Sequence, residues 1–488
     1  MKEIVIMYRV TSKYEALPVQ VKASIWFLIC SFLQKGISVI TTPVFTRLLT
    51  TGEYGRYNVF NSWYGIVSII VSLYLWAGVY QQGLIKFDKE RNIFSSSLQG
   101  LTFILVCCWT AVYLLAHNFW NGIFNLTTVQ MLAMLCMVWT TSVFNFWSTE
   151  QRVYYKYKAL VFVTLAVSLG KPLLGIFLVT HSTDKVTARI LGLALVELIG
   201  YSWCFIVQMK AGKKFFSAKF WKYAVGFNLP LVPHYLSQVV LNNSDRIMIN
   251  SMVGDSAAGI YSLAYSVAMV MTLFNTALIQ TLTPWMYQKI KDKQIKDLAP
   301  IAYLSLGIVA VVNLLLIMFA PEVIRIFAPP AYYEAIYCIP PVAMGVLFLY
   351  AYDLFAKFAF YYEKTTLIMF ASVGGAILNI ILNCFGIKMF GYVTAAYTTL
   401  ICYMCYVVFH YILMTKICNK YLEGVKPYNT KFLLTFAGVF LICGFAMLFT
   451  YDHPVIRYSV IVASVIAMIL KRDKIKESLQ KIMALRKK

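Results

Sequence analysis

Long apolar stretches separated by short polar ones run along the chain from residue 23 to residue 470. A helix that crosses a bilayer needs about 20 mostly apolar residues. On that measure the pattern predicts about fourteen spanning helices: 23–48, 58–80, 95–117, 128–149, 159–181, 187–209, 222–250, 258–285, 299–320, 335–360, 365–387, 391–415, 430–450 and 454–470. The expected fold is therefore an all-α integral membrane protein.

Polar residues interrupt the pattern most between Gly226 and Gln288. The predicted helix 222–250 carries Pro230, Pro233, His234, Asp245 and Arg246, groups that are costly in a bilayer unless they face protein or a wet cavity. A second element of order is an internal repeat. Thr46-Arg47 followed by Gly52-Glu53-Tyr54-Gly55-Arg56-Tyr57 returns as Asp245-Arg246, Gly254-Asp255 and Gly259-Ile260-Tyr261. Tyr154-Tyr155-Lys156-Tyr157-Lys158 resembles Phe360-Tyr361-Tyr362-Glu363-Lys364 in the same way. Same-orientation repeats imply two bundles related by an axis along the membrane normal. The layout this predicts is a lead-in over 1–22, a six-helix bundle over 23–212, a second over 213–420, two further helices over 421–470 and a basic tail over 471–488.

Composition strengthens the membrane reading. Hydrophobic residues make up 60% of the 488, charged residues 13%, and the mean hydropathy is +0.71. A soluble chain has about a quarter of its residues charged. The net charge of +23 would otherwise suggest nucleic acid. Its basic residues instead sit between apolar segments, which reads as topology control and contact with anionic headgroups, with no nucleic-acid partner. Lysine and arginine concentrate in alternate connections, including Lys86, Lys89, Arg91, Lys210, Lys213, Lys214 and Lys289 to Lys296. That alternation places both termini in the cytoplasm. The N-terminal stretch lacks a cleavage site after an apolar run and reads as a cytoplasmic or interfacial lead-in. The eleven cysteines fall mostly in apolar segments and form no paired framework; Cys402 and Cys405 lack the further ligands zinc needs, so no metal or cofactor is expected.

Candidate chemistry lies on a few helices. Ser24, Ser31, Lys35, Ser38 and Thr42 share one face of the first helix at 100° per residue, with Lys35 near the bilayer middle. Such a stripe suits a pathway for an anion; a lysine buried and paired between helices is the alternative. Arg47 leaves that face unless the helix bends at Pro43. In the repeat, Lys35 aligns with His234, which shares a face with Gln238 and Asp245. Asp245 either pairs with a neighbouring base or has a functional role, and His234 alternates between core and cavity. Lys171 and Glu197 lie at one depth on adjacent helices, as a structural salt bridge or a proton or cation relay. Asp353 and Lys357, four apart, can pair along one face, and Asp353 could instead take a coupling ion, H+ or Na+.

The motifs PLVPH, SDRIMI, GIYSLAY and PWMY, in that order, resemble the central segment of bacterial oligosaccharide-lipid flippases for O-antigen, capsule and exopolysaccharide repeat units. These belong to the polysaccharide transporter branch of the multidrug/oligosaccharidyl-lipid/polysaccharide exporter superfamily. The resemblance implies six plus six plus two helices in the cytoplasmic membrane and a polyprenyl-pyrophosphate-linked oligosaccharide moved by alternating access. It also implies basic residues engaging the carrier pyrophosphate: Lys35, Arg47, Arg246 and, less directly, His234. Membrane lipids and the polysaccharide polymerase machinery are the partners it implies. No ATP site of the form GxxxxGK[ST] occurs, and no HExxH or GxSxG. A lipid II flippase or cation-coupled drug extruder of the same superfamily is the nearest alternative. A membrane glycosyltransferase or polymerase is disfavoured because the connections predicted outside are short, so an enzyme is not expected.

Overall fold

A computed structural model of the chain describes residues 17–470, and among these the regular structure is helical, with no strand. The first sixteen residues and the basic tail from 471, with Lys2, Arg9 and Lys13, lie outside the described residues. The first ten helices are α1 Val19–Leu48, α2 Thr51–Ser72, α3 Val79–Lys86, α4 Arg91–Leu115, α5 His117–Phe124, α6 Thr128–Val153, α7 Tyr157–Thr180, α8 Lys185–Gly212, α9 Ala218–Asn228 and α10 Val232–Met252. They are followed by α11 Asp255–Met269, α12 Thr272–Lys291, α13 Leu298–Met318, α14 Ala320–Phe327, α15 Ile339–Tyr361, α16 Thr365–Phe390, α17 Thr394–Tyr421, α18 Thr430–Leu448 and α19 Pro454–Leu470.

Local sequence sets many of the starts. Thr127 and Gln130 form a reciprocal capping box on α6, and Asp184 and Asn429 accept from the backbone N–H groups of Thr187 and Phe432. Thr50 and Glu53 exchange the same pair of bonds at the start of α2.

Among the described residues, eleven helical stretches are long and apolar enough to cross a membrane, rather than fourteen. The three predicted spans that fall short each have a physical reason. The stretch 58–80 leaves the helix at Ser72, where Leu73 and Tyr74 take left-handed φ values of 50° and 52° and Gly78 one of 64°, and α2, though 22 residues long, is too polar around Glu53, Arg56, Asn58 and Asn61. The stretch 222–250 divides into α9 and α10 around a 3-10 turn at Leu229–Leu231, where Pro230 has no N–H for the ladder, and the 21 residues of α10 are too polar around His234, Asn242, Asn243, Asp245 and Arg246. The final helix has a shorter apolar run, Pro454–Ser464. The predicted helix 258–285 is longer than expected, as α11 and α12 together make one stretch of 37 residues.

The described chain packs as two units. One holds the chain up to Leu49 together with Val59–Val239; the other holds Thr50–Asn58 and the chain from Val240 onward. In the first unit α8 is central, packed against α4, α6 and α7, and α1 lies on α7 with little of it buried. Leu75, Tyr80, Leu84, Phe94, Phe146 and Phe220 form one of its cores at the level of α3 and α9. In the second unit α15 is the most buried helix, with α11, α13, α17 and α18 packed around it. There Thr50–Asn58 lies against the start of α11. A Cβ on Gly55 would come within 1.9 Å of the Asp255 carbonyl, and one on Gly259 within 2.0 Å of the Thr51 carbonyl. Only glycine permits that approach, so these two repeat motifs are in contact. Arg56 and Asp255 pair at 3.5 Å beside it.

Candidate functional site

In the first unit the candidate cation stands on α1, a helix of 30 residues that continues through Pro43 without interruption. Lys35 lies roughly midway along it. Its side chain is exposed, and among the described residues no hydrogen bond or ion pair engages its ammonium. Its polar neighbours satisfy themselves locally: Ser24 donates to the Gln20 carbonyl at 2.8 Å, and Thr42 to the Ser38 carbonyl at 2.9 Å. Arg47, in the last turn, is exposed and donates to the Pro43 carbonyl at 2.8 Å.

A second charged group of this unit is internal. Lys171 on α7 stands 2.6 Å from Glu197 Oε1 on α8. Glu197 is buried, and its other oxygen accepts from Thr140 and Thr141 of α6 at 3.2 and 3.1 Å. Tyr64 of α2 donates to Thr141 at 2.9 Å, so four helices meet at one carboxylate. His234, in the first turn of α10, is half-buried. Its Nδ1 is enclosed with no hydrogen-bond partner, and its ring lies 5.8 Å from that of Tyr235.

In the second unit Arg246 on α10 lies over the Tyr265 ring at 4.5 Å and donates to Asn243 Oδ1 at 3.1 Å. This fixes the plane of the guanidinium. Its neighbour Asp245 points elsewhere. Asp245 is buried and accepts from the Tyr261 hydroxyl at 2.6 Å, Asn383 Nδ2 at 2.6 Å and the Thr399 hydroxyl at 2.8 Å. Among the described residues no base lies within ion-pair distance of it, so hydroxyl and amide donors take the place of the neighbouring base the sequence suggested. Asn379 extends the network, accepting from Ser244 and Asn383 at 2.9 and 3.2 Å. Asp353 and Lys357 pair along α15 at 3.2 Å, the lysine largely buried and the aspartate about one-third exposed.

Sequence reasoning passed over two groups. Asn379 and Asn383 are one turn apart in an otherwise apolar α16, a spacing that could have marked them as buried polar partners. Arg457 is 2% exposed and bonded to Glu322 of α14. Tyr458 also donates to Glu322, at 2.7 Å, fastening α19 to that short helix. Outside the spans, burial pushes the Cys338 thiol up to about 12, with Glu334 adding to the effect, so it stays protonated and unreactive.

Together these groups form two kinds of site. Buried carboxylates with full hydrogen-bond shells hold the helices within each unit together. The other kind is cationic: Lys35 is exposed in one unit, and Arg246 lies over the Tyr265 ring in the other. A phosphate-type ligand suits both chemistries, a point charge from lysine and a planar fork from arginine.

A family model described as polysaccharide biosynthesis protein matches residues 21–290, and one described as MatE matches residues 230–385. Lsg locus putative protein 1 of Haemophilus influenzae is 23% identical over 384 residues, covering 74% of this chain and 89% of that protein. An uncharacterized membrane protein of the same organism is 21% identical over 370 residues, covering 72% and 87%. Among solved structures, the lipid II flippase MurJ in an inward closed conformation superposes with a TM-score of 0.67 at 14% identity, covering 92% of this chain and all of that one. An inward-facing multidrug resistance MATE family transporter of the MOP superfamily gives 0.63 at 12% identity, covering 79% and 96%.

Proposed function

From a chain that belongs to the polysaccharide biosynthesis protein family of the MOP exporter superfamily, we propose a flippase for polyprenyl-pyrophosphate-linked oligosaccharide repeat units. The family and fold are those of membrane transporters rather than enzymes. In this reading the chain works in a bacterial cytoplasmic membrane with both termini inside. It carries the charged, sugar-bearing headgroup across by alternating access while the lipid tail stays in the bilayer, and the product feeds a surface-polysaccharide polymerase.

The observation that carries the reading is Lys35. An unpaired ammonium in the middle of a lipid-length helix is costly against hydrocarbon. It persists where that helix face is wet, and there it attracts an anion. Arg47 in the same unit and Arg246 in the second are further basic groups of the kind that phosphate oxygens accept from. An extruder of organic cations would need acidic groups on such a face. A lipid II flippase is the second reading, because lipid II also presents a pyrophosphate and the lipid II flippase structure shares the fold across its whole length.

The test is complementation in a strain that makes lipid-linked repeat units but lacks its own flippase, with surface polysaccharide normalised to membrane-inserted protein. The chain should restore export, Lys35→Arg should retain much of it, and Lys35→Ala and Lys35→Glu should lose it at normal abundance. Normal export by Lys35→Ala removes this residue from the site.

A further inference from the structure

Both helix breaks of the first unit, after Ser72 and at Leu229–Leu231, are tied together by one side chain. Asn228 Nδ2 donates to the carbonyls of Leu73 and Tyr74 at 2.8 and 2.7 Å, in the left-handed turn where the Tyr74 carbonyl also accepts from the Ala77 N–H at 2.9 Å. Irregular backbone at membrane depth is tolerated where it is buried in protein or lines a water-filled cavity. Here three aromatic rings converge on it. Tyr74 lies 4.3 Å from Trp76 and 5.0 Å from Tyr235, with planes tilted at 56° and 52°. Gly78 leaves the space open, since a Cβ there would stand 3.1 Å from the Tyr235 hydroxyl and 4.0 Å from Asn228 Oδ1.

Trp76 packs against the neighbouring core, and packing accounts for only part of this group. Tyr74, Trp76 and Tyr235 are each partly exposed, unlike the neighbouring core rings of Tyr80, Phe94 and Phe146. Among the described residues their hydroxyl and indole N–H groups have no hydrogen-bond partner. Two enclosed acceptors also stand unpaired: Asn228 Oδ1, on a residue 0% exposed, and His234 Nδ1 beside Tyr235. The cluster thus offers tilted apolar faces rimmed by unused donors and acceptors. A pyranose ring has the matching surface, with C–H groups on its face and hydroxyls around its edge, and aromatic faces attract such C–H groups.

The geometry points to a carbohydrate subsite formed by Tyr74, Trp76 and Tyr235, with Asn228 and His234 reading hydroxyls. It rests on the flippase reading and assigns to these rings the sugar part of the headgroup, apart from the pyrophosphate assigned to Lys35.

The experiment compares two radiolabelled lipids retained by purified full-length protein. One is bare polyprenyl pyrophosphate; the other is the lipid-linked repeat unit extracted from the source strain. Trp76→Ala and Tyr235→Ala should each weaken the sugar-bearing lipid by roughly three- to tenfold and leave bare polyprenyl pyrophosphate unchanged. Unchanged binding of the bare lipid shows that the variant is folded, and Trp76→Phe, which keeps a ring, should stay close to the wild type. Equal weakening of both lipids, or of neither, overturns the subsite. A wild type that retains neither lipid overturns the flippase reading itself.

Discussion

Removing Lys171 should destabilise the first unit more than removing its partner. Glu197 is buried at the junction of four helices and accepts from Lys171 at 2.6 Å and from two threonines at 3.1–3.2 Å. Lys171→Ala leaves that carboxylate with two neutral donors and no cation, and breaking a buried pair this way costs about 3–5 kcal/mol. That is a factor of roughly a hundred or more in the ratio of folded to unfolded protein. Glu197→Ala leaves an ammonium whose side chain is 29% exposed and can reach solvent, so its cost should be about 1–3 kcal/mol. Replacing both by methionine should be milder than Lys171→Ala, because no charge is then left unpaired. The assay is thermal unfolding in detergent, followed by a thiol-reactive dye. The buried cysteines Cys30, Cys204, Cys338, Cys402 and Cys418 become reactive only on unfolding, above a constant background from the exposed ones. The reasoning is refuted if Lys171→Ala costs less than about 1 kcal/mol, the worth of an exposed pair, or if the double substitution is the worst of the three.

In the second unit, Asp245→Ala orphans Tyr261, Asn383 and Thr399 and should cost about 3 kcal/mol or more, whereas Tyr261→Phe should cost about 1–2 kcal/mol; the same unfolding assay checks the order. Reporter fusions after residues 120, 213 and 252 should read outside, inside and outside, as the lysine and arginine pattern requires; a reversal at any of them rejects the proposed orientation.

Sequence exposed what depends on local order. Helix lengths and the apolar pattern gave the membrane fold, and matched depth on adjacent helices singled out Lys171 and Glu197 before any coordinates. The repeat drew attention to Gly55 and Gly259, whose Cα atoms allow the backbones of the two motifs to touch. What depends on distant chain was invisible. For Asp245 the sequence left a neighbouring base and a functional role both open, because its donors come from 138 and 154 residues away as well as from Tyr261. The break after Ser72 leaves no proline to announce it; it is held by Asn228, 155 residues on. Pro230 and Pro233 did mark the other break, yet the apolar run on both sides concealed it. Aromatic residues at 16% gave no way to single out Trp76 from the rest, since its meaning lies in Tyr74 and Tyr235.

The central claim is that this chain moves a sugar-bearing pyrophosphate lipid between leaflets through a site that includes Lys35. Its most direct test is purified protein reconstituted into vesicles with lipid-linked repeat unit, with a glycosidase added outside. Wild-type protein should expose the lipid that protein-free vesicles protect, and Lys35→Ala protein, reconstituted to the same density, should leave it protected. Protection undiminished by the wild type, or lost equally with Lys35→Ala, would contradict the account.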